Sequence, residues 1–152
     1  SRLTEEIREK RGLTYGVSAY PLPLEKAGVI VGNVSTVNDR VAESIQLIKD
    51  IWQNFGEKGP TPTEMQNAKD YINGSFPLRF TNSKTIAGVL NAVQHFDLGI
   101  EYLENRSKLI DQVSLRDLRR VAKRLFDSKA LTFAVVGKPT NLDPTMRAPA
   151  YE

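Results

Sequence analysis

The chain contains no cysteine, one histidine and one tryptophan among 152 residues, and no hydrophobic run approaches the length of a membrane span. The first absence excludes disulfides, thiolate zinc sites and cysteine nucleophiles. The second all but removes metal binding. His95 follows Asn91 by one helical turn, with no second histidine and no carboxylate at ligand spacing, whereas a metal site needs about three protein ligands. H-x-x-E-H, H-E-x-x-H, G-x-S-x-G and Walker patterns are also missing, so the residues do not read as a stand-alone catalyst. Charge of one sign is scarce too. A net charge of +3 is too small to argue for nucleic acid. The densest basic group, Arg116, Arg119, Arg120, Lys123 and Arg124, falls at helical spacing toward a helix C-terminus and reads as a solvated face that complements the helix dipole. The paired carboxylates Glu5-Glu6 and Glu101-Glu104 read as exposed helix charges.

What is present begins at the first residue. Ser1 to Arg11 is a charged helix in which Leu3 and Ile7 form a narrow apolar stripe, with Lys10 and Arg11 in its last turn. Gly12 ends it, because glycine takes the left-handed C′ conformation without steric cost. From Leu13 the pattern alternates. Leu13, Tyr15, Val17 and Ala19 share one face of a strand that Pro21 and Pro23 close. Residues 27–36 read as a second strand, joined to the first as an antiparallel hairpin. Gly28 and Gly32 read as points of close packing rather than a nucleotide loop.

Helices follow. A long amphipathic helix from Asn38 carries Val41, Ile45, Ile48 and Trp52 on one stripe, should cover the sheet, and stops at Gly56 and Gly59-Pro60. Thr61-Pro-Thr-Glu64 restarts a helix with an N-cap threonine, proline at N1 and a capping-box glutamate, running toward Phe76. Residues 83–98 and then Ile100 to Val113 form two more, divided at Gly99, and Ser114-Leu-Arg-Asp117 opens a last one. Ala130 to Gly137 is a continuous apolar run that reads as a strand buried on both faces. The proline-rich residues 141–152 read as a loose tail. The order implies an α+β fold, a two-layer antiparallel sheet with helices packed on one face, in a domain spanning residues 1–140. Three strands are few for so many helices, and the sequence starts inside a helix without Met, so a fragment of something longer is expected.

One pair in the opening stretch has chemical promise. If the strand folds back along the helix, Tyr15, roughly 10 Å beyond Gly12, can approach Arg8, roughly 6 Å before it. A guanidinium beside a phenol suits a peptide carbonyl or the oxyanion formed when one is attacked. On spacing alone the alternative stays open that Tyr15 is a core aromatic and Arg8 a solvated charge.

The opening Ser1-Arg-Leu-Thr-Glu-Glu-Ile-Arg-Glu-Lys-Arg-Gly-Leu-Thr-Tyr-Gly-Val-Ser-Ala19 closely resembles the signature in the C-terminal half of the pitrilysin/insulinase family of zinc peptidases, which includes the mitochondrial processing peptidases. Thr61 to Lys69, Ser114 to Lys123 and Leu131 to Gly137 resemble the family's acidic helix start, last helix and closing strand, so the likeness spans residues 1–140. The resemblance implies two homologous halves around a chamber, one with an H-x-x-E-H zinc motif and the other presenting an arginine and a tyrosine seven residues apart. These carry over to Arg8 and Tyr15, whose implied role is to hold the scissile carbonyl and stabilise its oxyanion. No metal ligand carries over. The resemblance places zinc in a zinc-bearing N-terminal half or homologous subunit, makes a peptide or unfolded segment the substrate, and leaves this chain inactive alone. A non-catalytic structural or assembly subunit of the same family is the alternative. Self-association through an uncovered sheet edge is also expected, and the residues leave localisation open, bacterial periplasm and cytoplasm both fitting.

Overall fold

The computed structural model describes residues 1–146, so the end of the expected tail, residues 147–152, lies outside the described residues. The chain is α+β. A π-helical segment, Thr4–Glu9, precedes the strands β1 (Gly16–Pro23) and β2 (Gly28–Ser35), which pair antiparallel from Gly16↔Ser35 to Pro23↔Gly28. Five α-helices follow among the described residues: α1 (Val41–Lys58), α2 (Pro62–Ser75), α3 (Ser83–His95), α4 (Tyr102–Gln112) and α5 (Leu115–Leu125). The chain divides into two compact units, one of Ser1–Asn54 with the chain from Phe126 onward, the other Phe55–Leu125. No helix among the described residues is long and apolar enough to cross a membrane.

In the first unit, β1 begins three residues later than alternation predicts and continues through both prolines that were expected to close it. Each strand of a two-stranded hairpin is an edge. Pro21 and Pro23 have the same parity, so both missing N–H groups fall on the same unpaired side. The expected apolar face also breaks up, since Leu13 is buried whereas Tyr15 and Ala19 are exposed. Gly32 does mark a close approach, as a Cβ there would lie 3.0 Å from the Ser18 carbonyl oxygen, while Gly28 has open space around it.

The expected third strand is absent. Residues 131–136 have no ladder partner among the described residues, and Val136 is fully exposed. An apolar run favours a strand, but a strand exists only through hydrogen bonds to a neighbour, and among the described residues the sheet consists of β1 and β2. This segment and the residues flanking it are instead held by ring contacts and by hydrogen bonds to Asn38. The Trp52 and Phe126 rings meet at 4.5 Å between centroids, Lys49 lies over the Phe133 ring, and Asn38 accepts the Lys138 N–H through Oδ1 and the Thr140 N–H through its carbonyl.

In the second unit, α2 starts as the sequence predicts. Thr61 Oγ1 accepts the Glu64 N–H at 3.2 Å and Glu64 Oε2 accepts the Thr61 N–H at 2.8 Å, a complete capping box. Helix α1 runs through Gly56 and ends at Lys58, before Gly59, whose φ is +66°. Glycine inside a helix costs only about 1 kcal/mol, whereas a left-handed residue terminates it. Helices α2 and α4 are tied by Lys69 Nζ to the Asp111 carbonyl at 2.8 Å and by Asn73 Nδ2 to Asp111 Oδ1 at 3.1 Å, and Arg106 stacks over the Phe76 ring.

Candidate functional site

The opening helix winds wider than an α-helix. Lys10 N–H reaches back five residues to the Glu5 carbonyl, and the turn closes with Gly12 N–H on Arg8 O and Leu13 N–H on Ile7 O, each near 3.0 Å. Gly12 has φ +59°, as its expected role requires. The closing contact is apolar. Ile7 is 0% exposed and Leu13 is buried with it, so the helix and the following segment share one anchor.

The charges around this anchor are sorted by pairing. Lys10 Nζ lies 2.6 Å from Glu6 and 2.9 Å from Glu5, and Arg11 Nη1 lies 2.7 Å from Glu6 Oε2 and donates to the Glu6 carbonyl. Hydrogen bonds from Lys10 first and Arg11 second hold the Glu6 carboxyl below the usual carboxylate range, and Glu6, then Glu5, hold the Lys10 ammonium above its ordinary value. Arg8 stands outside this network. Its guanidinium is exposed and has no acidic partner among the described residues.

Tyr15 projects from the segment that joins the anchor to β1. Its side chain is 96% exposed and its hydroxyl bonds to no described residue, which overturns the alternative of a core aromatic. The structure therefore places both sequence-predicted residues at the surface of one unit, flanking one turn. It does not join them by a hydrogen bond or a ring contact. Arg8 and Tyr15 are thus solvated donors on one turn, whereas Lys10 and Arg11 are engaged in ion pairs with Glu5 and Glu6.

Sequence reasoning passed over Thr14 and Thr36. Thr14 is buried at 8% exposure, its hydroxyl lies 2.5 Å from the Ser35 carbonyl and 2.7 Å from the Gly16 carbonyl, and its oxygen accepts the Gly16 N–H at 3.0 Å. Thr36 donates to the Leu13 carbonyl. The available signal was a threonine next to each strand's ladder end, where a hydroxyl can replace a backbone bond.

The side chains among the described residues offer no site for the zinc that the resemblance implies. His95 is exposed at the end of α3 against the Phe96 ring, and no three His, Cys, Asp or Glu side chains cluster among the described residues.

Comparison with known proteins agrees with the opening motif. Residues 1–72 match the family model described as the peptidase M16 inactive domain. A protein of Helicobacter pylori named "Non-peptidase homolog YmxG" is 34% identical over 139 residues, 90% of this chain and 32% of that protein. "Uncharacterized zinc protease YmxG" of Bacillus subtilis is 27% identical over 83% of this chain and 31% of its own length. A crystal structure of a peptidase M16 inactive domain from Pseudomonas fluorescens superposes with a TM-score of 0.73 at 27% identity, covering 84% of this chain and 30% of that one. The chain thus spans about a third of the length of these relatives.

Proposed function

Because this chain belongs to the M16 peptidase family, as its inactive C-terminal domain, we propose that it is the substrate-binding side of a divided active site in a zinc metalloendopeptidase that cleaves peptides or unfolded segments. Arg8 and Tyr15 are its working residues. The observation that carries this reading is their condition: an arginine left unpaired while its neighbours are neutralised, and a tyrosine 96% exposed beside a buried anchor. A guanidinium and a phenol on one substrate oxygen orient the carbonyl and stabilise the negative charge that develops on it when it is attacked. Zinc and the groups that attack the carbonyl belong to the other half or to a homologous subunit.

A non-catalytic structural or assembly role is the second reading, and the name of the Helicobacter pylori relative favours it. Kinetics of the complete protein on an internally quenched peptide separate the two. Arg8→Ala and Tyr15→Phe each lower kcat by about a hundredfold if they are oxyanion donors. A complete protein that does not turn over such peptides at all, with or without added zinc, supports the second reading instead.

A further inference from the structure

The ladder between β1 and β2 ends at Gly16↔Ser35, yet the chain does not separate there. Two side chains take over where backbone pairing stops. The Thr14 hydroxyl bridges to the Ser35 carbonyl across 21 residues of sequence, and the Thr36 hydroxyl returns the bond to the Leu13 carbonyl. A hydroxyl has one proton to donate, so Thr14 gives it to the Ser35 or the Gly16 carbonyl while its oxygen holds the Gly16 N–H. Below this staple, Leu13 is buried and bonded through its N–H to Ile7. Tyr15 is therefore bracketed on both sides, by Leu13-Thr14 before it and by the first ladder residue after it. Only its ring is free.

We propose that Thr14, with Thr36 as its partner across the hairpin, is a positioning residue for Tyr15: the two hydroxyls fix the backbone from which the phenol is presented to the substrate carbonyl. The inference rests on the reading of Arg8 and Tyr15 as carbonyl donors. Its physical basis is the cost of ordering. A fully exposed side chain on a mobile loop loses backbone and rotamer freedom when it binds, whereas one on a stapled segment loses rotamer freedom alone. The arrangement also explains a residue pattern that packing does not. A buried threonine could be valine for volume, but its hydroxyl donates to one of two nearby main-chain carbonyls and accepts the Gly16 N–H, beside Tyr15.

The test uses Thr14→Val, Thr14→Ser and Thr36→Val in the complete protein, each alone and the first also combined with Tyr15→Phe, with an internally quenched peptide as substrate. Thr14→Val lowers kcat about tenfold with KM little changed, the size expected for one lost hydrogen bond, and Thr14→Ser restores it. Combined with Tyr15→Phe, Thr14→Val causes no further loss, because it acts through the phenol. Amide exchange supplies a readout that needs no activity: the Gly16 N–H, bonded to Thr14 Oγ1, exchanges about tenfold faster in Thr14→Val and not in Thr14→Ser. Should Thr14→Val fail to fold, Thr36→Val carries the same expectations for kcat. Faster Gly16 exchange with unchanged kcat, or full loss from Thr14→Val on top of Tyr15→Phe, overturns the positioning role. Unchanged kcat in Tyr15→Phe itself removes the donor reading and the positioning role with it, and is recognised because it needs no change at Thr14.

Discussion

Arg8 owes its availability to its neighbours. Three basic residues follow one another within a turn at positions 8, 10 and 11, and Glu5 and Glu6 satisfy the last two. That pairing has a definite pH dependence. Glu6 titrates below its ordinary value in the folded chain, so its contribution is present above the unfolded carboxylate's pKa, about 4.3, and is lost as pH falls through the folded value. Lys10 titrates above its ordinary value, so its contribution is present below about 10.4 and is lost as pH rises through the folded one. Protection of the Lys10 amide, corrected for intrinsic exchange, should therefore be flat between these limits and fall on both sides. Undiminished protection well below the carboxylate range would show that the ion pairs do not hold this turn. That Arg8 and Tyr15 flank one turn was legible because a helix and a terminating glycine fix a short local spacing, whereas the role proposed for them rests on the family resemblance. Thr14 was not, because its partner Ser35 is remote in sequence and a hydroxyl bond of that span leaves no periodic trace.

At the scale of elements, punctuation was read better than pairing. The capping box at Thr61 and the left-handed Gly12 are local devices, and both form as the residues predict. Thr61→Ala should lower stability by about 1 kcal/mol, seen as a lower Tm. Gly59 is sensitive to substitution. A Cβ on Gly59 would lie 2.6 Å from Arg119 Cγ and 3.3 Å from its Cα, on a backbone at φ +66°. Gly59→Ala should cost about 1–3 kcal/mol, from overpacking and left-handed strain together. A Tm for Gly59→Ala equal to that of the parent would remove the close contact from the account. Residues 131–136 were misread for the complementary reason. Leu131 to Val136 has the composition of a strand, but pairing depends on a second segment at the right place, and no sequence window contains that information.

For the whole molecule, large apolar side chains remain at the surface of both units. Tyr20, Leu22 and Val29 lie exposed on the hairpin and Val135 and Val136 on the unpaired segment, while Leu90, Phe96 and Ile100 are exposed in the helical unit. Exposed apolar side chains and unpaired strand edges each promote association. Sedimentation of the isolated chain should therefore be concentration-dependent, and Val136→Lys should shift it toward monomer. An unchanged monomeric sedimentation coefficient across concentrations would remove that expectation. The α+β class and the family could be read from the residues because the opening motif is specific. The extent of the sheet could not, because it depends on segments that do not adjoin in sequence.

The central claim is that Arg8 and Tyr15 act on one substrate oxygen, and a double-mutant cycle in the complete protein tests it most directly. With kcat measured for the parent, Arg8→Ala, Tyr15→Phe and the double variant, each single change should lower turnover by about a hundredfold, and the double should fall well short of the product of the two, because both donors serve the same atom. Turnover that is unchanged in all three variants would contradict the account.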